Sequence, residues 1–262
     1  MCIDHVCTMR TPGAPIQRFN DSTILTFLTS LTILLFFAIS VRAAEKPPGI
    51  PAGYQLQYEQ SFDSPEALKG IVFSDPKAWR HAKDGDNGSL ELFGKSDYNP
   101  KDRSPFNIAL IADRIFSDFV MDVELQSTVK PYGHQDMCLF YGFEATNKFY
   151  YTHIAVAADP HAHNIFIVND ASRTAIANET TRGVTWGENQ WHKVRIERNT
   201  GSGTIKVYFD DFSKPIMVAE DKTFASGCVG FGSFDDKGKI DNVRIWAPSM
   251  TRKKTGFFAK PD

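Results

Sequence analysis

Apolar and polar residues alternate with a period of two over most of the chain beyond residue 54. Across 119–126, Phe119, Met121, Val123 and Leu125 share one face of an extended chain, and Val120, Asp122, Glu124 and Gln126 share the other. Across 204–210, Ile205, Val207 and Phe209 alternate with Lys206, Tyr208 and Asp210. The stretch 199–203 (NTGSG) reads as a turn joining that strand to 191–198. Residues 149–158 and 163–169 predict a second hairpin around Asp159-Pro160. Helical periodicity is weak throughout, and about a dozen short strands recur without a fixed repeat. Strands with one apolar and one polar face belong to antiparallel sheets that are solvated on one side. The pattern therefore predicts an all-β chain folded as a two-sheet antiparallel sandwich or jelly roll. The loop-rich stretch 84–106 is expected to cover one rim.

One segment breaks the alternation. Residues 24–41 (ILTFLTSLTILLFFAISV) are apolar apart from Ser and Thr, follow Arg10 and Arg18, and end at Val41-Arg42-Ala43. This is the pattern of a secretory signal peptide, 1–43, with Met9 as an alternative start. An uncleaved membrane anchor is the competing reading, since the run approaches the ~20 residues that span a bilayer. Residues 44–53 (AEKPPGIPAG) then form a Pro-rich linker, 54–248 the β domain, and 249–262 a flexible tail. The implied location is secreted, periplasmic or extracellular.

Composition narrows the partners. A formal net charge of −2 argues against nucleic acid or an anionic membrane surface as ligand. Aromatic residues make up 13% of the chain, 21 of them Phe, which suits a thick sandwich core. Cleavage at 43 would remove Cys2 and Cys7 and leave Cys138 and Cys228, either as two buried thiols or as one disulfide. Phosphate-binding loops, HExxH, the Gly-x-Ser-x-Gly elbow and EF-hand loops do not occur in the sequence.

Several stretches carry a family likeness. Trp79 followed by SLELFG and ALIADRIFSDFVMDVELQ resembles the opening of secreted domains named for 3-keto-disaccharide hydrolase. MCLFYGFEATNKFYYTHIAV resembles the central hairpin of concanavalin-A-like domains, and WHKVRIER, IKVYFDD, GCVGFGSFDD and IDNVRIW resemble their closing strands. The resemblance covers roughly 54–247 and implies a concanavalin-A-like lectin/glucanase sandwich. Its implied ligand is a poly- or oligosaccharide on the concave sheet. Three functions follow as expectations: a glycan-binding module, a glycoside hydrolase of the 3-keto-disaccharide type, or a structural surface protein.

Candidate chemistry falls in three places. Asp122 and Glu124 share a strand face about 7 Å apart at Cα, a separation at which glycosidases set their two carboxylates. Laminarinase-type members of the superfamily carry Glu-x-Asp-x-Glu here. This chain has Gln126 at the outer position, and an amide cannot donate the proton. The hairpin around Asp159-Pro160 holds His153, His161 and His163, with Asp170 and Arg173 after it. Tyr151, His153, His163, Asp170 and Arg173 could line a sugar site. The same histidines could start a metal site or be plain surface residues. Tyr141, Tyr150, Trp186 and Trp191 are further candidates for stacking on sugar rings. By the same resemblance Asp241 would hold a structural calcium, with Glu59 or Asp63 as its partner.

Overall fold

The computed structural model describes residues 46–258. The expected signal peptide, Cys2 and Cys7 lie outside them. Among the described residues no helix is long and apolar enough to cross a membrane. Apart from two short 3₁₀ segments, Pro65–Gly70 and Pro76–Ala78, the regular structure of the described residues is β, as the alternation predicts.

Two antiparallel sheets form the sandwich. The first has nine strands, in the order Ala177–Thr180, Met217–Glu220, Thr204–Phe209, Trp191–Arg198, Phe119–Ser127, Gly238–Ala247, Asn87–Leu92 and Trp79–Asp84. Gln55–Gln60 pairs with Gly238–Ala247 as well. The second has eight, in the order Thr174–Ala175, Asn164–Asn169, Lys148–Ala155, Asp136–Ala145, Gly227–Ser233, Asn107–Phe116 and Thr251–Arg252, with Ile71–Phe73 also beside Asn107–Phe116. The hairpin read around Asp159-Pro160 is present, with His153 opposite Asn164.

The core between the sheets collects the apolar phase of each strand. Met121, Val123, Leu125, Val194 and Ile196 from the first sheet face Leu139, Tyr141, Ile154, Val229 and Phe231 from the second. Burial of these side chains removes apolar surface from water and is the main force holding the layers together. Gly232 permits close strand approach, because a Cβ there would lie 1.8 Å from the Asn107 carbonyl oxygen.

The second sheet has apolar residues on both faces. Its outer face carries Leu110, Cys138, Phe140, Phe143, Phe149, Tyr151 and Phe166, all almost fully buried. Tyr98 from the loop-rich stretch and Phe257 and Phe258 from the C-terminal segment cover it. The described part of the expected tail is therefore packed structure. Thr251–Arg252 pairs with Ile115 and Arg114, and the Thr255 amide donates to the Ala112 carbonyl. The linker is also engaged, since Arg195 donates to the Pro48 carbonyl at 2.6 Å.

Cys138 and Cys228 are free, buried thiols. Both strands run through this outer face, but Cys138 stands opposite Gly232, four residues along from Cys228. That offset of about 13 Å is twice what a disulfide tolerates.

Candidate functional site

The outer face of the nine-stranded sheet is polar and lies open. Its centre is the strand Phe119–Ser127, flanked by Trp191–Arg198 and Gly238–Ala247. Register places Asp122 between Arg195 and Arg244, and Glu124 between Lys193 and Asp241. Opposite charges thus meet across the boundary with Trp191–Arg198 and at Asp122–Arg244, the favourable cross-strand arrangement, while Glu124 and Asp241 set two acids side by side.

Arg195 is the best-held of these groups. Its Nε and Nη2 donate to the two carboxylate oxygens of Asp122 at 2.6 and 2.8 Å, and the residue is 3% exposed. Its guanidinium also lies 4.5 Å from the centre of the Phe212 ring. A bulge between Asp241 and Arg244 sets the next row, with Asn242 in the left-handed region at φ 48°. The bulge lets the Asn242 amide donate to Asp241 at 2.7 Å, while its side chain donates to Glu124 at 2.9 Å.

A groove of about 800 Å³ opens over this lattice. Asp122, Glu124, Lys193, Arg195, Asp210, Phe212, Asn242 and Arg244 line it, and Pro47, Pro48 and Gly49 form one wall. By alternation Trp191 projects from the same face, opposite Gln126, and remains 38% exposed. The groove has the size of a small-ligand site and mixes charges, an amide and an aromatic ring.

Sequence reasoning placed Asp122 and Glu124 on one polar face, and the groove contains both. It missed Arg195, Lys193, Phe212, Asn242 and Arg244. The period-two run Lys193, Arg195, Glu197 marked a polar face, but nothing local showed which strand it would border. Gln126 is buried, its side-chain nitrogen donating to the Asn189 carbonyl at 3.0 Å.

The five residues expected to bind sugar lie on the other sheet and do not share an open surface. Tyr151 is fully buried beneath Phe234 and Arg173, whose Nη1 donates to the Tyr151 hydroxyl at 3.0 Å. His153 is 6% exposed and stacks on Phe234. His163, at φ 50°, turns away from the strand; its Nδ1 accepts from the Ala155 amide and its Nε2 meets the Thr181 hydroxyl at 2.9 Å. Burial holds His163 well below its ordinary pKa, at about 4. Asp170 is exposed and pairs with Lys148. Of the other aromatic candidates, Tyr141, Tyr150 and Trp186 are fully buried, so Trp191 is the one left open.

Of the expected calcium ligands, Glu59 separates from Asp241, whereas Asp63 stays near it. Asp241 is 2% exposed, and burial, with Glu124 and Asp63 nearby, raises its carboxyl pKa. Its Oδ2 accepts from the Asn87 side chain at 3.1 Å. Glu59 instead pairs with Arg244 at 2.7 Å on the surface, because register sets it opposite Arg244. A distinct group of metal-type ligands, Asp136, Cys138 and His153, lies buried on the other sheet.

No protein-family model matches the chain, and no curated protein matches it. Solved structures do. A Bacillus subtilis protein of unknown function with a galectin-like fold aligns at TM-score 0.52 and 11% identity, over 76% of this chain and 100% of that one. The GH43 protein BlXynB of Bacillus licheniformis aligns at 0.50 and 12%, over 78% of this chain and 42% of that one. The carbohydrate-binding module CBM66 from Bacillus subtilis aligns at 0.49 and 17%, over 68% of this chain and 96% of that one. The fold is accordingly a concanavalin-A-like, galectin-like β-sandwich, as the sequence resemblance implies.

Proposed function

We propose that the protein is a secreted carbohydrate-binding module whose ligand lies in the groove on the nine-stranded sheet. The fold class hosts lectins, glycosidases, lyases and inert modules, so the groove rather than the fold supports this reading. The observation that carries it is the open row of Lys193, Glu124, Asn242 and Arg244 beside the rings of Phe212 and Trp191. Sugar hydroxyls take hydrogen bonds from such groups, and the apolar face of a pyranose stacks on aromatic rings. Binding without turnover fits the carboxylates better than hydrolysis does. Both oxygens of Asp122 are occupied by Arg195, Glu124 accepts from Asn242, and Gln126 stands where a third acid would be needed.

A glycan array followed by calorimetry tests the proposal. We expect Kd values in the micromolar to millimolar range, weakened about tenfold by Trp191→Ala or Phe212→Ala, and no bond cleavage. Loss of binding in neither variant would refute the location, and product formation would refute the binding-only reading.

A structural calcium at Asp241 is proposed with Asp63, not Glu59, as its carboxylate partner. Asp241 is 2% exposed and stands opposite Glu124, with Asp63 also near, and this grouping of carboxylates is the observation that suits a hard cation there. Calcium would neutralise that crowding. Added calcium should raise Tm and chelator should lower it, with no such response in Asp241→Asn.

A further inference from the structure

We propose that Asp136, Cys138 and His153 form a buried site for a transition-metal dication of the zinc type. The site is independent of the groove and lies on the opposite sheet.

The backbone assembles it. Asp136 and Cys138 stand two apart on the strand Asp136–Ala145, so both side chains point to the face away from the inter-sheet core. His153 is the direct register partner of Cys138 on Lys148–Ala155. One ligand atom from each of the three lies within 4.8 Å of the other two. Two adjacent strands therefore present a carboxylate oxygen, a sulfur and an imidazole nitrogen to one point.

His153 brings a buried, unpartnered ring to that point. The residue is 6% exposed, and neither Nδ1 nor Nε2 has a hydrogen-bond partner. Nε2 comes within 3.2 Å of Asp136 Oδ2, but too far off-axis for a hydrogen bond. Buried polar atoms without partners are rare in folded proteins. A metal on one ring nitrogen would satisfy it.

The donor set selects the class of ion. Sulfur, imidazole and carboxylate together suit zinc, which accepts all three in tetrahedral geometry. Calcium and magnesium prefer oxygen alone. Binding releases one proton from the Cys138 thiol to solvent, and the thiolate and carboxylate together balance a dication. The surroundings already orient the ligands. Ser233 Oγ donates to Asp136 Oδ1 at 2.8 Å, Asp236 accepts from the Asp136 amide at 2.8 Å, and the His153 ring stacks on Phe234 at 5.5 Å. Three protein ligands leave a fourth position, which water can fill. The ion would clamp two neighbouring strands under the layer formed by Phe234 and Arg173.

The test uses the full chain with Cys2→Ser and Cys7→Ser, purified without chelator, and cobalt(II) as probe. We expect one cobalt per chain, a thiolate-to-cobalt charge-transfer band in the near ultraviolet, and displacement by one equivalent of zinc. Cys138→Ser should abolish the band, Cys228→Ser should keep it, and His153→Gln should weaken cobalt binding at least tenfold. Circular dichroism of each variant checks folding. Should Cys138→Ser or His153→Gln fail to fold, the parent and Cys228→Ser spectra still decide. Less than one cobalt at micromolar metal, cobalt bound without the charge-transfer band, or a band lost in Cys228→Ser would overturn the proposal.

Discussion

Breaking the Arg195–Asp122 pair tests whether the polar face is a held lattice or a set of solvated side chains. Arg195 is 3% exposed and makes two charge-assisted bonds, at 2.6 and 2.8 Å, to a carboxylate whose side chain is 19% exposed. Two unit charges about 4 Å apart attract by about 4 kcal/mol at an effective dielectric of 20, and desolvation of the guanidinium offsets part of this. Asp122→Asn removes the charge paired with a buried cation and leaves it one amide oxygen, the Pro48 carbonyl and the Phe212 ring, with Glu197 farther off. We expect it to cost about 3 kcal/mol of stability. Arg195→Met strands a carboxylate that water still reaches and should cost about 2 kcal/mol. The double variant loses both charges together, so the cycle should return a coupling of about 2 kcal/mol. Urea denaturation monitored by tryptophan fluorescence measures all four proteins. A coupling below about 0.5 kcal/mol, the size found for exposed pairs, would refute the reasoning.

Other outcomes can be measured independently. The His163 pKa is about 4 folded against 6.5 as its ordinary value, so between these values the unfolded chain binds a proton that the native one does not. Stability should be complete above pH 6.5 and fall as pH drops toward 4, by up to about 3 kcal/mol at about 1.4 kcal/mol per pH unit. His163→Gln should flatten that slope in denaturation curves taken across the window. Gly232→Ala would drive a methyl into the Asn107 carbonyl and should cost more than about 3 kcal/mol, read as a lowered urea midpoint. Burial pushes the Cys228 thiol up to about 11 and hides it below the C-terminal segment. Phe257→Ala with Phe258→Ala should speed its alkylation at least about tenfold by opening that layer locally.

The inner phase of each strand was readable because burial and alternation act through the same two-residue period. Met121, Val123 and Leu125 could be assigned to the core from their own neighbours in sequence. The same logic put Asp122 and Glu124 on a solvated face. It failed at Tyr151 and His153, which share the outward phase yet are buried. Their cover comes from Phe234 and Arg173, and the face they belong to is closed by Tyr98, Phe257 and Phe258, segments without strand periodicity. The C-terminal segment looked unstructured for the same reason: one short pairing and two Phe rings leave almost no pattern in the chain.

The sequence by itself determined that this protein is a two-sheet sandwich and which side of most strands meets the core. Those properties depend on side chains two residues apart, which a linear reading can see. Only the tertiary structure decided that Asp122 meets Arg195, 73 positions away, that Glu59 goes to Arg244 rather than Asp241, and that Cys138 faces His153. Such meetings depend on register and strand order, which arise when distant segments compete to bury the same apolar surface. No local period encodes the result of that competition.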